Sequence, residues 1–308
     1  LSHNSGSGLY YKTDGVKTEA LAIVSNAIGI RLLAGSSIEV DEVTYFDENS
    51  IAVQIDPGTV SGDVVWAIPG YISILMNGSV TIAAGASLTV KPETVIKIAQ
   101  NSMFAVDGKL IALGTEESPI FFTDLRDNTV GGEIPGAESP PEAGWWRSIS
   151  IRNDGSAYFD WCRISYGGRS DGGTIVKSGT GALSVSNSVI ANTSGDGLRI
   201  AAGYSSFEHF DNRYVSNTNG VRIGIGSSFV DQTTTFEGNA VDIYLDGGTV
   251  NGAVAWGSSS DYSMIVTGDV NIATGALLSI HSGSVIKFRQ NNRIIVYGVL
   301  EATGKENL

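Results

Sequence analysis

A single cysteine, Cys162, leaves no partner for an internal disulfide and rules out a multi-cysteine zinc site. Basic residues are also scarce. The 19 lysines and arginines are scattered among 32 aspartates and glutamates, for a formal charge of -13. Without a clustered basic surface to neutralise phosphates, nucleic acid is excluded as a partner. No run reaches the roughly 18 apolar residues that cross a bilayer, so the chain carries no membrane span of the helical kind, and no signal peptide is visible. The three histidines, His3, His209 and His281, sit in no metal or catalytic spacing, and long helical patterns are missing.

What is present is 39 glycines with many Val, Ile, Ser, Thr and Asn, a composition of short strands and tight turns. Compared with itself at an offset of 190, the sequence matches. "GTVSGDVVW" from Gly58 faces "GTVNGAVAW" from Gly248, and "TVIKIAQN" faces "SVIKFRQN". Roughly 25 of about 61 positions are identical without a gap, too many for chance. With small slips the match extends upstream, so that residues 1–118 answer 190–308 and residues 119–189 form an unduplicated block.

A shorter period lies inside the long one. Apolar groups recur at "GLYY", "GIRLL" and "IAVQI", then at "GLRI", "GVRI" and "VDIYL", every 20 to 23 residues or so, the size of one solenoid coil. Each coil would hold two or three strands of alternating polarity. About 13 to 15 coils at 4.8 Å spacing predict one continuous rod of roughly 65 Å. Asn26, Asn49, Asn192, Asn217 and Asn239 are expected at corners, where left-handed backbone and side-chain hydrogen bonds suit asparagine.

At "LTVKPETVIKIAQNSMFAVDGKLIALGTEESPIFFTD", and again at "GWWRSISI" and "CRISYGG", the chain resembles the right-handed parallel β-helix segments of large, repetitive bacterial secreted and cell-surface proteins. The resemblance implies an all-β, right-handed, single-stranded parallel β-helix of the pectate-lyase-like kind, displayed outside the cell. The "GHG", "RIK" and "WIDH" signatures of the related pectin-degrading enzymes are absent. The chain stops at "LEATGKENL", just before the point where the first copy continues with "PIFFTD", which predicts a further strand of that pattern in a longer protein.

Candidate sites concentrate in the unduplicated block. The long loop within "FTDLRDNTVGGEIPGAESPPEAGWW" brings Asp124, Asp127 and Glu133, a calcium option set against a solvated loop. Trp145, Trp146, Tyr158 and Tyr166 offer flat faces for sugar rings. Alternation places Trp161 in the core beside Phe159, puts a corner between residues 161 and 162, and leaves Trp146, out of phase with Ile149 and Ile151, as the exposed ring. Asp154 and Asp160 with Arg163 are the candidates for acid-base chemistry, weighed against cross-strand pairing.

Two functions compete on these grounds. One is a non-enzymatic extracellular or cell-surface rod, an adhesin or stalk segment contacting polysaccharide or cell-surface glycan. The other is a carbohydrate-active enzyme, a polysaccharide lyase or glycoside hydrolase, working on the outer face. The missing enzyme signatures favour the rod.

Overall fold

The computed structural model describes residues 1–12, 15–201, 207–259 and 261–304. Among these residues every regular element is a β-strand and every strand pairing is parallel. The strands stack into a solenoid of about 13 coils. The apolar groups picked out by the short period are strands of successive coils. Ser7–Tyr11 pairs with Ile28–Leu33, and that strand with Ile51–Asp56. Asp196–Ile200, Asn219–Ile223 and Val241–Leu245 form a second such run.

Three faces enclose the middle of the rod. The first has ten strands from Ser7–Tyr11 to Thr235–Glu237, and the second has ten from Gly58–Val60 to Val285–Phe288. The third has eight, from Gly15–Lys17 to Phe207–Phe210. Because the side-chain period of a strand is two, in-register stacking turns every inward residue into part of a continuous row. On the third face the inward row reads Trp66, Val90, Ala112, Phe159, Val185, His209. Rings from different faces meet at the centre: Trp66 with Phe104 at 6.2 Å, Phe104 with Phe122 at 5.9 Å, and Phe122 with Phe159 at 6.2 Å between centroids. Tilted and edge-on contacts of this kind add about 0.5 to 1.5 kcal/mol each beyond the area they bury.

The set of faces changes at two places. A two-stranded sheet of Ala22–Val24 and Tyr45–Asp47 ends, and the second face begins at Gly58–Val60. Later the first face ends at Thr235–Glu237 and a new sheet begins at Gly248–Val250. In both places the coil holds one strand more than its neighbours. Ser37–Glu39 pairs directly with Asp63–Ala67, and Phe229–Asp231 with Ala253–Ser258. Both new sheets open on "GTV", and the tryptophans that follow, Trp66 and Trp256, are buried.

The corners differ from the expected arrangement in one respect. Of the five asparagines, only Asn192 is itself left-handed, with φ 55°. Asn26, Asn49, Asn217 and Asn239 each follow the left-handed residue, respectively Ser25, Glu48, Ser216 and Gly238. That residue turns the chain so that the next side chain lies along the corner. There Asn49 Oδ1 accepts from the Asn26 backbone N–H at 3.0 Å, and Asn239 Oδ1 accepts from that of Asn217 at 3.0 Å. Asn217 Oδ1 accepts from the Thr193 N–H at 3.2 Å, while its Nδ2 donates to the Ile190 carbonyl at 3.0 Å. These amides satisfy backbone groups that the change of direction leaves without ladder partners.

Candidate functional site

The long loop of residues 125–148 has a largely exposed middle but is anchored to the rod at a few buried residues. Ile134 and Ala137 lie against Leu75 on the outer side of the first face. Asp124 is buried and accepts from Arg126 Nη2 at 2.7 Å, from the Arg126 N–H at 2.9 Å and from the Glu142 N–H at 3.1 Å. The Arg126 guanidinium stands 3.5 Å from the ring centre of Trp145. Lys97, fully enclosed between strand and loop, donates from Nζ to the Gly132 carbonyl. Burial pulls its pKa down, opposed by the charges of Asp127, Glu133 and Asp124. Asp127 accepts from Thr123 Oγ1 at 2.7 Å and Thr129 Oγ1 at 2.6 Å. Thus Asp124 and Asp127 tie the loop to the rod, while Glu133 is exposed. Among the described residues no three carboxylates, histidines or cysteines converge as a metal ligand set.

The aromatic residues do not assemble into one platform. Trp146 is fully buried, its Nε1 donating to the Ser165 carbonyl at 2.8 Å, which corrects the expectation that it is exposed. Alternation counted back from Ile149 fails because the strand begins only at Ile149, and the preceding residues form turns. Trp161 is corrected in the other direction. The preceding strand ends at Asp160, and Trp161 has φ 50°, so the side chain leaves the inward row and is half-exposed at the corner. That corner falls where the change of phase places it, with Cys162 buried at the start of the next strand. Trp145 is half-buried under Arg126. Tyr166 lies at a left-handed corner, its phenol pushed up by burial and then by Asp127 and Asp124. Tyr158 alone stands in an outward row of the third face, paired with Ile111 and Ser184.

Asp160 ends the strand Ser156–Asp160, and Asp154 lies in the turn two residues before that strand begins. The strand between them spans roughly 13 Å, four steps of about 3.3 Å, longer than the 5 to 10 Å at which paired carboxylates flank a glycosidic bond. Each already has a partner. Asp154 accepts from Thr180 Oγ1 at 2.5 Å, and Asp160 accepts from Ser186 Oγ and Asn187 Nδ2, both at 2.8 Å. Arg163 projects outward from the next face, with no carboxylate of a described residue in contact.

Two features escape a reading of local sequence. A groove of about 470 Å³ follows one edge of the third face. Asp63, Ser87, Lys109 and Ser156 are successive partners along it, Asp107 and Asp154 flank it, and Ile111 borders it. Gly108, in its lining, packs so closely that a Cβ there would stand 2.2 Å from the Ala83 carbonyl oxygen. The second feature is a polar cluster inside the rod, His209 between Asp231 and Tyr214. The signal for both is the coil period: Asp63, Ser87 and Lys109 lie 24 and 22 residues apart and His209 and Asp231 lie 22 apart, a spacing that says nothing until the coil length is known, while Ser156 joins the row only across the long loop. Compared with protein-family profiles, curated proteins and solved structures, the chain matches none.

Proposed function

We propose that this chain is a non-enzymatic rod segment of an extracellular or cell-surface protein, and that its third face contacts carbohydrate. The observation that carries the reading is the commitment of the acidic residues. Of the two carboxylates best placed in sequence for acid-base work, one ends a strand and the other lies in the turn before it, each already hydrogen-bonded to hydroxyl or amide groups of the rod. The groove supports the second half. It combines hydroxyls, carboxylates and one amine with the apolar Ile111, and Tyr158 is in register beside it, the mixture that orients a polyhydroxylated chain. The likeness to β-helix segments of bacterial surface proteins supports the location.

The test is product release from a panel of neutral and acidic polysaccharides, run beside a glycan array. Binding without release is expected. Release that disappears in Asp154→Ala or Asp160→Ala would establish the enzyme reading instead.

A further inference from the structure

Where the third face turns into the first, a cavity of about 200 Å³ opens between Trp161, Arg163, Asn187, Val189, Asp211 and Arg213. Trp161 presents its indole there because its left-handed backbone aims the ring out of the core. Arg163 is exposed, and alone among the eleven arginines its guanidinium makes no hydrogen bond, ion pair or ring contact within the described residues. Every other arginine is engaged, as Arg147 is with Asp171 at 2.7 Å and Arg222 with Asp246 at 2.7 Å. The Asp211 carboxylate, across the cavity, also accepts no hydrogen bond from a described residue. The register explains why the two do not neutralise each other. Arg163 pairs with Val189, and Val189 with Arg213, so two coils, about 10 Å, separate the strand of Arg163 from the corner that carries Asp211. Arg213 has only an exposed bridge to Glu237 at 3.3 Å, which holds it weakly.

We propose that this pocket binds a carboxylated sugar unit of a glycan. An unpaired guanidinium takes a carboxylate by a charge-assisted, two-pronged hydrogen bond. The indole face takes the apolar face of a pyranose ring. Asp211 accepts from hydroxyl groups, which a sugar acid has and a simple anion lacks. The chain's overall charge of -13 repels anions elsewhere, so the free cation gives the pocket its selectivity. The assignment rests on the reading of the rod as a glycan-contacting surface and adds the class of sugar.

The experiment is calorimetric titration of the whole chain with sialyllactose and with a glucuronate-containing tetrasaccharide, each beside its methyl ester. At least one free acid is expected to bind, with its ester weaker by roughly tenfold, the loss expected when a charge-assisted bond is removed. Arg163→Gln is expected to weaken the acid by a similar factor with an unchanged melting temperature, because Arg163 has no partner to lose. Trp161→Gly, which suits the left-handed backbone, should weaken acid and ester alike. Equal binding of acid and ester, no binding of either acid, or an Arg163→Gln chain that binds as before would each overturn the proposal. So would a glutamate-rich peptide that binds as tightly as the sugar acid. Cleavage of polysaccharide would overturn the non-enzymatic rod while leaving an Arg163-dependent acid site standing. Absence of both cleavage and acid binding would remove the pocket and leave the rod.

Discussion

His209 Nδ1 and Asp231 Oδ2 lie 2.5 Å apart inside the solenoid, joined across one coil by a separation of 22 residues. The other ring nitrogen, Nε2, is 2.8 Å from the hydroxyl of Tyr214, which stacks on the imidazole at 5.6 Å between centroids. Asp231 also accepts from Thr234 Oγ1 at 2.6 Å and from the N–H groups of Thr233 and Thr234. In the first copy the matching residue, Asp41, caps the same turn through Val43 and Thr44, but its Oδ2 meets the Ala20 N–H, and Thr18 and Thr44 bond to each other. One corner design therefore carries a hydroxyl pair in the first copy and an acid–imidazole pair in the second.

This pair predicts an acid-dependent stability. Burial raises the Asp231 pKa, but the hydrogen bond and charge of His209, with the bonds from Thr234, outweigh it and hold the carboxyl well below its ordinary range. A group whose folded pKa is depressed stabilises the fold above its unfolded pKa, near 4, and that contribution is lost as pH falls below it. Urea unfolding followed from pH 6 to pH 2 should show the loss, and Asp231→Asn should flatten it. At pH 7, Asp231→Asn or His209→Ala should cost about 3 to 5 kcal/mol, the usual penalty for stripping one partner from a buried pair. A cost under 1 kcal/mol would show that the cluster is solvated.

The asparagine ladder predicts unequal effects at adjacent residues. Asn217→Ala removes the acceptor of the Thr193 N–H and the donor to the Ile190 carbonyl, both inside the rod, and should destabilise by about 1 to 3 kcal/mol for each group left alone. Ser216→Gly, one residue earlier, replaces a left-handed serine of φ 55° with the residue that adopts this conformation without strain. It should change stability by less than about 1 kcal/mol in either direction. Chemical denaturation of the two variants makes the comparison.

The loop offers a third test. Arg126→Ala leaves Asp124 buried without its cation and should release residues 125–148 to limited proteolysis, with the coils remote from the loop retaining their cooperative melt. Lys97→Met should be neutral or stabilising, since burial depresses the amine's pKa by more than the charges of Asp127, Glu133 and Asp124 raise it, and its hydrogen bond is to the neutral Gly132 carbonyl. If Lys97→Met instead unfolds the chain, the ammonium is an anchor of the loop.

Glycine positions supply the fourth. A Cβ at Gly108 would stand 2.2 and 2.3 Å from the carbonyl oxygens of Ala83 and Ala86, whereas one at Gly62 meets nothing within 4 Å. Gly108→Ala should therefore lower the melting temperature by several degrees, and Gly62→Ala should stay within about 0.5 kcal/mol of the parent. Gly298→Ala should behave like Gly108→Ala, because its environment is the same backbone of Ala273 and Ala276.

The sequence by itself determined the class of fold. An apolar group every 20 to 23 residues or so, alternation within each strand and the absence of helical periodicity admit a stack of parallel coils, and that is the architecture found. It also located the corner between Trp161 and Cys162, because a change of phase between two strands is a local signal. What only the tertiary structure decided is where side chains go outside strands and which coils bring residues together. Trp146 and Trp161 exchanged their expected places because alternation describes extended backbone and neither residue lies in a strand. The pairing of His209 with Asp231, the row of Asp63, Ser87 and Lys109, and the isolation of Arg163 depend on the exact length of each coil. A residue added to one coil would shift every contact between that coil and the next while leaving its own alternation intact, and so local pattern fixes the rod but not its sites.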